Sequence, residues 1–461
     1  MAIVPALKTS TQSALKTEII NTRFIIIISM VAALGGLLFG FDTAIISGAI
    51  PYITPYFGLE GFSLGWAVSS ILIGCATGAL MAGLLADKYG RRLTLIICAV
   101  LFAISGLGSG LASNFTLFIV FRLIGGLGVG AAAMISPMYI AETAPASLRG
   151  RLVALYQLAI VLGILLAYFS NYLFQGFGEN NWRYMFISQV VPSFLFLVML
   201  LFVPETPRWL VKKGLKQEAL LILTKISGST AANQELEEIE NTFNCEKDSG
   251  LKVLFSEAYR PVLFIGVLIA VFQQVTGINS ILYYAPVIFK ETGLSNASSL
   301  LQTIGIGVVN VVSTFIAIGL VDKVGRKKFL LAGSLLMGIS LCAVALCFHY
   351  RYFDNYIVLL FMLLYVGTFG CTLGAVTWVY LSEIFPNRIR GLALSVATLS
   401  LWLADFIVTY TFPIMTKNLG TAATLCCYAG LCALAFGYML LKVRETKGRS
   451  LEEIEKLFIH E

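Results

Sequence analysis

The sequence has little charge and almost no histidine. Asp, Glu, Lys and Arg make up 12% of its 461 residues, whereas soluble proteins average about 25%. The two histidines, His349 and His460, lie at the edge of a polar loop and in the C-terminal tail, which argues against a zinc site or a histidine proton pathway. Because 58% of the residues are hydrophobic, the composition excludes an ordinary soluble domain and indicates a polytopic protein of the lipid bilayer.

The nine cysteines also form no recognisable motif. Cys245 alone lies in a polar segment, and the others lie in apolar runs, where cysteine behaves as a small hydrophobic residue. We therefore expect no metal, no cofactor and no disulfide framework. The net charge of +7 does not indicate nucleic-acid binding, because the basic residues cluster at the ends of apolar runs.

The chain contains twelve apolar runs close to the roughly 20 residues that a membrane-spanning helix needs. The longest polar interval, 204–260, follows the sixth run and has stretches typical of short amphipathic or acidic helices. This pattern predicts an all-α membrane protein with two six-helix halves, divided into an N-terminal tail (1–23), a first half (24–203), a helical linker (204–260), a second half (261–441) and a C-terminal tail (442–461). The runs cover approximately 24–49, 64–85, 93–113, 115–138, 152–174, 184–203, 261–289, 299–321, 329–348, 356–381, 391–413 and 420–441.

The distribution of Lys and Arg predicts the orientation in the membrane. Basic residues follow the second, fourth, eighth and tenth runs and fill the linker, whereas the intervals 50–63 and 112–115 have none. The positive-inside rule therefore places the linker and both termini in the cytoplasm. No cleavage site follows the first apolar run, so residues 1–23 are interpreted as a tail and not as a removable signal. We expect a multi-pass protein of the plasma (inner) membrane.

The two halves repeat each other. GLLADKYGRR at 83–92 returns as LVDKVGRKK at 320–328, and YIAETAPASLRG at 139–150 returns as YLSEIFPNRIRG at 380–391. Two related halves that rock about a site near the membrane midplane are the design of an alternating-access transporter.

A cluster of polar side chains lies inside the seventh apolar run. Gln273, Gln274, Asn279 and Tyr283 occur at a depth where lipid-facing helices carry hydrocarbon, and an unpartnered polar group there costs several kcal/mol. Gly277 lies between the amides and is the predicted point at which the helix unwinds. The cluster predicts a site for a neutral polyhydroxylated ligand. The alternative is that the amides hold neighbouring helices together.

Two charged residues lie within apolar runs of the first half, and such residues are usually functional. They are Asp42 in the first run and Arg122 in the fourth. Desolvation favours the protonated form of a carboxyl group, whereas a nearby guanidinium favours the ionised form. A movement that changes the distance between Asp42 and Arg122 could therefore make Asp42 a proton carrier. The alternative is a static buried ion pair.

The motifs together make the family recognisable. The chain resembles the sugar porter family of the major facilitator superfamily along nearly its whole length, and is most similar in appearance to bacterial proton-coupled xylose and hexose symporters. The motifs are GLLADKYGRR, RLIGGLGVG, YIAETAPASLRG, VPETPRWL, QQVTGINSILYYAP, LVDKVGRKK, WVYLSEIFPNRIRG and RETKGRSLEEIE. The resemblance implies the major facilitator fold, a cytoplasmic helical subdomain and a monosaccharide site between the halves.

The resemblance also assigns roles to single residues. In the symporters that the chain resembles, an Asp/Arg pair at the positions of Asp42 and Arg122 couples transport to protons, and passive glucose carriers have Asn at the Asp position. Phe39 and Tyr283 are expected to close the sugar site and Trp402 to form a further wall. The implied sugar ligands are Gln157, Gln273, Gln274, Asn279, Asn310 and Trp378.

The chain departs from the family pattern at two positions of interest. Ile164 stands where the xylose symporters have a second glutamine, which favours a ligand with a larger or less polar edge than xylose. Asp405, one turn after Trp402, stands where the family usually has Asn. Its carboxylate is expected to sharpen hydroxyl recognition, to favour a cyclitol such as inositol, or to take part in proton handling.

Acidic and basic residues recur at the helix ends of the predicted cytoplasmic face. As a network linking the halves they could stabilise an outward-open state; the alternative is that the basic residues only set the topology. The expected pairs are Glu142 with Arg149, Glu383 with Arg390, Asp87 with Arg91 and Arg92, and Asp322 with Arg326.

The predicted function is proton-coupled monosaccharide symport by a protein that acts as a monomer. A passive uniporter, a proton-coupled cyclitol transporter and a transporter-like sensor are the alternatives. Asp42 argues against the uniporter, and tails of about 20 residues are short for a signalling domain. The sequence has no nucleophile and base, metal or phosphate-loop constellation, so we do not expect an enzyme.

Overall fold

The computed structural model describes residues 21–245, 251–353, 356–386, 388–449 and 451–459. These residues form helices and no strands, and twelve of the helices are long and apolar enough to cross a membrane. The predicted all-α fold with twelve transmembrane helices is confirmed. Numbered in chain order, the spans are Thr22–Phe57, Gly61–Tyr89, Arg91–Leu111, Phe115–Thr143, Leu148–Phe174, Asn181–Leu201, Arg260–Glu291, Asn296–Val321, Arg326–His349, Ile357–Ile384, Arg390–Leu419 and Thr421–Lys442.

Short helices occupy the linker and the C-terminal tail. Within the described residues, span 6 is followed by Pro207–Lys212, Lys216–Ser227, Ser229–Cys245 and Leu251–Leu254. The tail contains Leu451–Ile459, which packs against spans 7 and 10. Within the tail, the guanidinium of Arg444 lies 5.9 Å from the ring centroid of Phe458.

Span 1 is longer than predicted. It runs for 36 residues and continues through Pro51 and Pro55 to Phe57, whereas the sequence predicts an end near residue 49. Prolines inside membrane helices are tolerated because neighbouring groups satisfy the freed backbone. The helix ends where Gly58 takes a left-handed conformation with φ of 63°, which is the usual stop signal.

Three spans are interrupted in their middle. Span 7 breaks between Val275 and Ile278, and Gly277 takes a φ of 91°, as the sequence predicted. Span 6 breaks at Gln189 and span 10 at Thr372. Neither of these two residues is a glycine or a proline, but Pro192 follows Gln189 by three residues and Gly370 and Gly374 flank Thr372, so helix-weakening residues lie beside both breaks.

The spans within the first half approach each other closely at glycines. A Cβ atom at Gly126 or Gly130 would collide with the backbone of span 2, and one at Gly40 would collide with the Ile160 carbonyl of span 5. Close backbone contact at small residues is the usual way in which membrane helices associate. The contact through Gly40 holds span 1 firmly two residues before Asp42.

The basic face of the protein, defined as the membrane face at which Arg91 and Arg326 lie, carries a compact group of charges in each half. In the first half, Arg91 Nη2 lies 2.9 Å from Glu142 Oε1, and Thr206 donates to Glu142 Oε2 at 2.6 Å. Glu205 accepts the backbone N–H of Arg91 at 3.0 Å and so caps span 3 after the positive-φ Gly90. We call this group the first clamp. Burial raises the pKa of Glu205, and the backbone N–H groups that it accepts oppose that shift.

The second half repeats this group as the second clamp. Arg326 Nη2 lies 2.8 Å from Glu383 Oε1, and Thr446 donates to Glu383 Oε2 at 2.6 Å. Glu445 accepts the backbone N–H of Arg326 at 2.8 Å, again after a positive-φ residue, Gly325. The first clamp therefore joins the segment after span 6 to the start of span 3, and the second clamp joins the segment after span 12 to the start of span 9.

The halves meet most closely at the face opposite to the basic one, along spans 2 and 11. Lys417 Nζ lies 2.7 Å from Glu60 Oε2, and Gly65 packs directly against the backbone carbonyl of Tyr410. The ring centroids of Trp66 and Phe406 lie 6.1 Å apart. Spans 5 and 8, and span 1 with the second part of span 7, complete the main contacts between the halves.

Candidate functional site

The amides of span 7 form a continuous hydrogen-bonded chain. Gln273 Nε2 donates to the carbonyl of Leu373 at 3.1 Å, and Gln274 Nε2 lies 3.5 Å from Gln273 Oε1. Asn279 Nδ2 donates to Gln274 Oε1 at 2.9 Å. An unbroken helix would point Gln273 and Asn279 in different directions, so the break at Gly277 is what brings the three amides together.

Asp405 of span 11 joins this chain. Its side chain is buried, Oδ2 accepts from Asn279 Nδ2 at 2.7 Å and Oδ1 accepts from Thr409 at 3.1 Å. Thr409 was not among the predicted site residues. It lies four residues after Asp405, which is the spacing that places two side chains on one helix face.

Aromatic residues line the region between the halves. The rings of Phe39 in span 1 and Trp402 in span 11 lie 5.6 Å apart, which bridges the two halves. Trp402 is buried and its Nε1 has no hydrogen-bond partner in the described part of the chain, so this donor is available to a ligand. Tyr283 is buried within electrostatic range of both Asp405 and Arg122.

Three predicted ligands lie outside the amide chain. The side chains of Gln157, half-buried, and Asn310, buried, have no hydrogen-bond partner among the described residues, and Asn310 Oδ1 lies close to Gly370. Trp378 is 38% exposed. Ile164 is buried and its backbone packs against Gly40.

Asp42 and Arg122 form a direct ion pair in the first half. Arg122 Nη1 donates to Asp42 Oδ1 at 2.7 Å and to the Asp42 carbonyl at 3.1 Å, and both side chains are fully buried. A Cβ at Gly125 would lie 2.7 Å from Asp42 Oδ2, so this glycine leaves room for the carboxylate. The guanidinium also lies 5.6 Å from the ring centroid of Phe186.

The hydrogen-bonding capacity of this pair is only partly used. Asp42 Oδ2, Arg122 Nε and Nη2, Ser105 Oγ and Gln189 Oε1 are buried without a partner within 3.5 Å in the described residues. Gln189 lies close to the Asp42 carboxylate, at the break in span 6, and its Nε2 donates to the Phe102 carbonyl at 3.4 Å. Gln189 was not among the predicted site residues, although a single amide inside the sixth apolar run was a usable signal.

The predicted pairs of Glu142 with Arg149 and of Glu383 with Arg390 are wrong. Glu142 and Glu383 instead pair with Arg91 and Arg326 in the clamps, because the chain turns at Pro145 and Pro386 and takes the following arginines away. Arg149 is exposed and Arg390 Nε donates to the Phe385 carbonyl.

The remaining expected pairs are partly found. Asp87 Oδ1 lies 3.5 Å from Arg91 Nη1, and Asp87 Oδ2 lies 3.0 Å from Lys212 Nζ in the linker. Arg92 donates to the carbonyls of span 6 instead. The side chain of Asp322 lies outside the described residues. The ion pairs described at the basic face therefore join residues within one half, or the first half to the linker, and do not link the two halves.

Comparison with known proteins places these features in context. The family model described as "Sugar (and other) transporter" matches residues 28–458. The chain is 42% identical to the arabinose-proton symporter of Bacillus subtilis, with 95% of each chain covered. It is also 42% identical to the D-xylose-proton symporter of Escherichia coli, with 95% of this chain and 96% of the relative covered.

Solved structures resemble the whole molecule. The inward open conformation of the xylose transporter XylE from E. coli matches with a TM-score of 0.84 at 40% identity, covering 94% of this chain and 100% of that one. A structure of the same proton:xylose symporter bound to 6-bromo-6-deoxy-D-glucose matches with a TM-score of 0.80 at 42% identity, covering 95% of this chain and 100% of that one. The expected major facilitator fold is confirmed.

Proposed function

Since the chain belongs to the sugar transporter family of the major facilitator superfamily, we propose that it is a proton-coupled monosaccharide symporter that works by alternating access. The observation that carries this proposal is a fully buried Asp42–Arg122 pair in a protein whose second half carries the amide chain and whose halves meet at the Phe39–Trp402 ring contact. The proton symport named for the arabinose and xylose relatives supports it.

Asp42 and Arg122 are the proposed proton-coupling pair. In the ionised pair the guanidinium is held by the carboxylate and the Asp42 carbonyl. Protonation of Asp42 removes the charge that holds the guanidinium, and Arg122 can then contact other groups while the halves rearrange. The partnerless oxygens of Ser105 and Gln189 lie beside the Asp42 carboxylate and could accept those contacts.

The proposed sugar site combines the amide chain with ligands from both halves. An amide donates and accepts at once, which suits vicinal hydroxyls, and the indole of Trp402 offers an apolar face and one N–H donor. These groups are Phe39 and Gln157 from the first half, and Gln273, Gln274, Asn279, Tyr283, Asn310, Trp378, Trp402 and Asp405 from the second.

The basic face is proposed to be the cytoplasmic one, following the positive-inside rule. The close contacts of spans 2 and 11 then lie outside, so the structure corresponds to an inward-facing state of a monomer in the plasma (inner) membrane. The two clamps are proposed to keep each half rigid at the cytoplasmic face, which replaces the expected role of a network between the halves.

Uptake of labelled sugars by purified protein in proteoliposomes tests the proposal. The panel is D-xylose, D-glucose, D-galactose, L-arabinose and myo-inositol, each with and without an imposed pH gradient, acidic outside. We expect at least one monosaccharide to accumulate above equilibrium only with the gradient. Equilibration without accumulation would indicate a uniporter, and accumulation of myo-inositol alone would indicate a cyclitol transporter.

A further inference from the structure

The two N–H groups of the Asn279 amide are both occupied by protein acceptors. Asn279 Nδ2 lies 2.9 Å from Gln274 Oε1 and 2.7 Å from Asp405 Oδ2. A primary amide has two N–H donors and one oxygen with two lone pairs. The group left for a ligand is therefore Asn279 Oδ1, and the half-buried position of the residue gives that oxygen access to the space between the halves.

Asp405 determines which end of the Asn279 amide contacts the protein and which end is left for a ligand. In its ionised form Asp405 accepts hydrogen bonds and donates none, and its Oδ1 is already engaged by Thr409 at 3.1 Å. If Asn279 turned over, its oxygen would face the Asp405 carboxylate, and two acceptors repel each other.

The Gln273 end of the amide chain cannot fix the orientation of the Asn279 amide in the same way. Gln273 is anchored on the Leu373 carbonyl, but its contact with Gln274 is 3.5 Å long, at the limit of a hydrogen bond. Gln274 and Asn279 could therefore turn over together and lose only that weak contact. Asp405 is the group that makes such a turn unfavourable.

We infer that Asp405 is a positioning residue that holds Asn279 as a pure hydrogen-bond acceptor toward the sugar. The inference rests on the proposed function, because it concerns the ligand of the same site. It narrows the ligand to neutral sugars that carry a free hydroxyl at the position facing Asn279. A fluorine, a methoxy or a carbonyl group there accepts but cannot donate, and Asn279 Oδ1 repels it.

A comparison with Asn, the usual family residue at position 405, shows what the carboxylate of Asp405 changes. An Asn at position 405 could accept from Asn279 or donate to it, so either orientation of the Asn279 amide would be compatible. The carboxylate removes one of the two orientations. Asp405 thus acts on selectivity through Asn279, which replaces the direct sugar contact implied by its place among the proposed site residues.

Substituted sugars test the inference on the unaltered protein. Binding is measured by competition with the parent sugar, using the 2-, 3- and 4-deoxy and deoxyfluoro analogues of D-xylose or D-glucose, whichever binds more tightly. At the hydroxyl that faces Asn279, the deoxyfluoro analogue should bind no better than the deoxy analogue. At hydroxyls that receive an N–H donor, fluorine should restore part of the lost affinity. Partial restoration by fluorine at every position would overturn the inference.

The variant Asp405→Asn then separates orientation from packing, because it keeps the shape of the side chain. We expect the deoxyfluoro analogue at the critical position to gain about threefold to tenfold in affinity relative to the deoxy analogue, the range of one hydrogen bond. An unchanged ratio in a variant that binds the parent sugar would overturn the inference. Loss of the variant's fold would leave the measurement on the unaltered protein decisive.

Thr409→Val is the matched control. It removes the second contact of Asp405 but leaves the carboxylate as an acceptor, so the discrimination against fluorine should survive whatever happens to overall affinity. If the discrimination disappeared in this variant as well, packing around position 405 and not its acceptor character would be responsible. Failure of all monosaccharides to bind would instead refute the proposed function.

Discussion

At the scale of single residues, the buried Asp42–Arg122 pair is the feature with the largest energetic consequence. One proton crossing a membrane gains about 2.3 kcal/mol per 100 mV and about 1.4 kcal/mol per pH unit. One proton per sugar could therefore support a sugar gradient of about a hundredfold. The transporter must then be discouraged from turning over empty and deprotonated, and an ion pair that locks Arg122 offers that restraint.

Replacing Asp42 by Asn tests this role, since Asn keeps the shape and cannot titrate. We expect Asp42→Asn to abolish accumulation against a gradient and to remove the pH dependence of uptake, while sugar binding and sugar-for-sugar exchange remain. The measurement pairs proton-driven uptake with counterflow in the same vesicles. Glu179→Gln, at an exposed position, is the control. Wild-type accumulation in Asp42→Asn would move the proton site elsewhere, with Asp405 the next candidate.

The amide chain gives a second prediction for single residues. Gln274→Ala and Asn279→Ala should each weaken sugar binding by about tenfold or more, because each removes a ligand group and leaves a buried partner unsatisfied. Calorimetric titration of the purified variants measures the affinity. Gln302→Ala, which removes an amide of span 8 that is not among the proposed site residues, should bind normally. Affinities within twofold of wild type for both site variants would place the sugar elsewhere.

At the scale of elements, the break in span 7 is the one that builds the site. Gly277 has a φ of 91°, and a Cβ there would lie 2.9 Å from the ring of Tyr428. A side chain in such a backbone conformation costs about 1–3 kcal/mol. The glycine is thus required by its conformation and by the neighbouring aromatic ring at the same time.

Gly277→Ala should therefore lower thermal stability and reduce sugar affinity together, because the strain displaces the Gln274–Asn279 pair. Gly319→Ala is the matched control: a methyl group added there would have no atom within 4 Å, and alanine is favoured over glycine within a helix. Melting temperature and sugar affinity are measured in detergent for both variants. A Gly277→Ala protein as stable as the control would mean that the break does not depend on this glycine.

These elements also show how much of the structure could be predicted from the sequence. The Gly277 break was predictable because a glycine separated polar residues that needed a common partner. The breaks at Gln189 and Thr372 lie close to Pro192 and Gly374, but a nearby proline or glycine does not by itself show that a membrane helix is interrupted, since packing between helices decides it. The partner of Glu142 was missed for a similar reason: Arg149 is near in sequence, but the fold brings Arg91 closer. The family motifs predicted the fold and the candidate residues, but hydrogen-bond direction at Asp405 required coordinates.

At the scale of the whole molecule, the contacts of spans 2 and 11 set the balance between conformations. The Glu60–Lys417 pair is exposed, and such pairs contribute at most about 1 kcal/mol. The direct packing of Gly65 on the Tyr410 backbone is more sensitive, because a larger side chain cannot fit without separating the two spans.

Gly65→Leu should consequently shift the protein toward a state that is open at the face opposite to the basic one. Spin labels at positions 62 and 419, both exposed, report the separation of spans 2 and 11 by pulsed paramagnetic resonance in a cysteine-depleted background. We expect a longer mean distance and weaker transport. Gly83→Leu in the same span, where no atom lies within 4 Å of the Cβ position, should leave the distance unchanged, and the same distance in both variants would contradict the prediction.

The two clamps also bear on the order in which the chain is assembled during synthesis. The first clamp needs Glu205 and Thr206, which leave the ribosome directly after span 6, so the first half can close while the second is still being made. The second clamp needs Glu445 and Thr446, which follow span 12 and so are made only after the other spans of the second half. The start of span 9 therefore stays uncapped until all six spans of the second half have been made, whereas span 3 gains its cap as soon as the first half is complete.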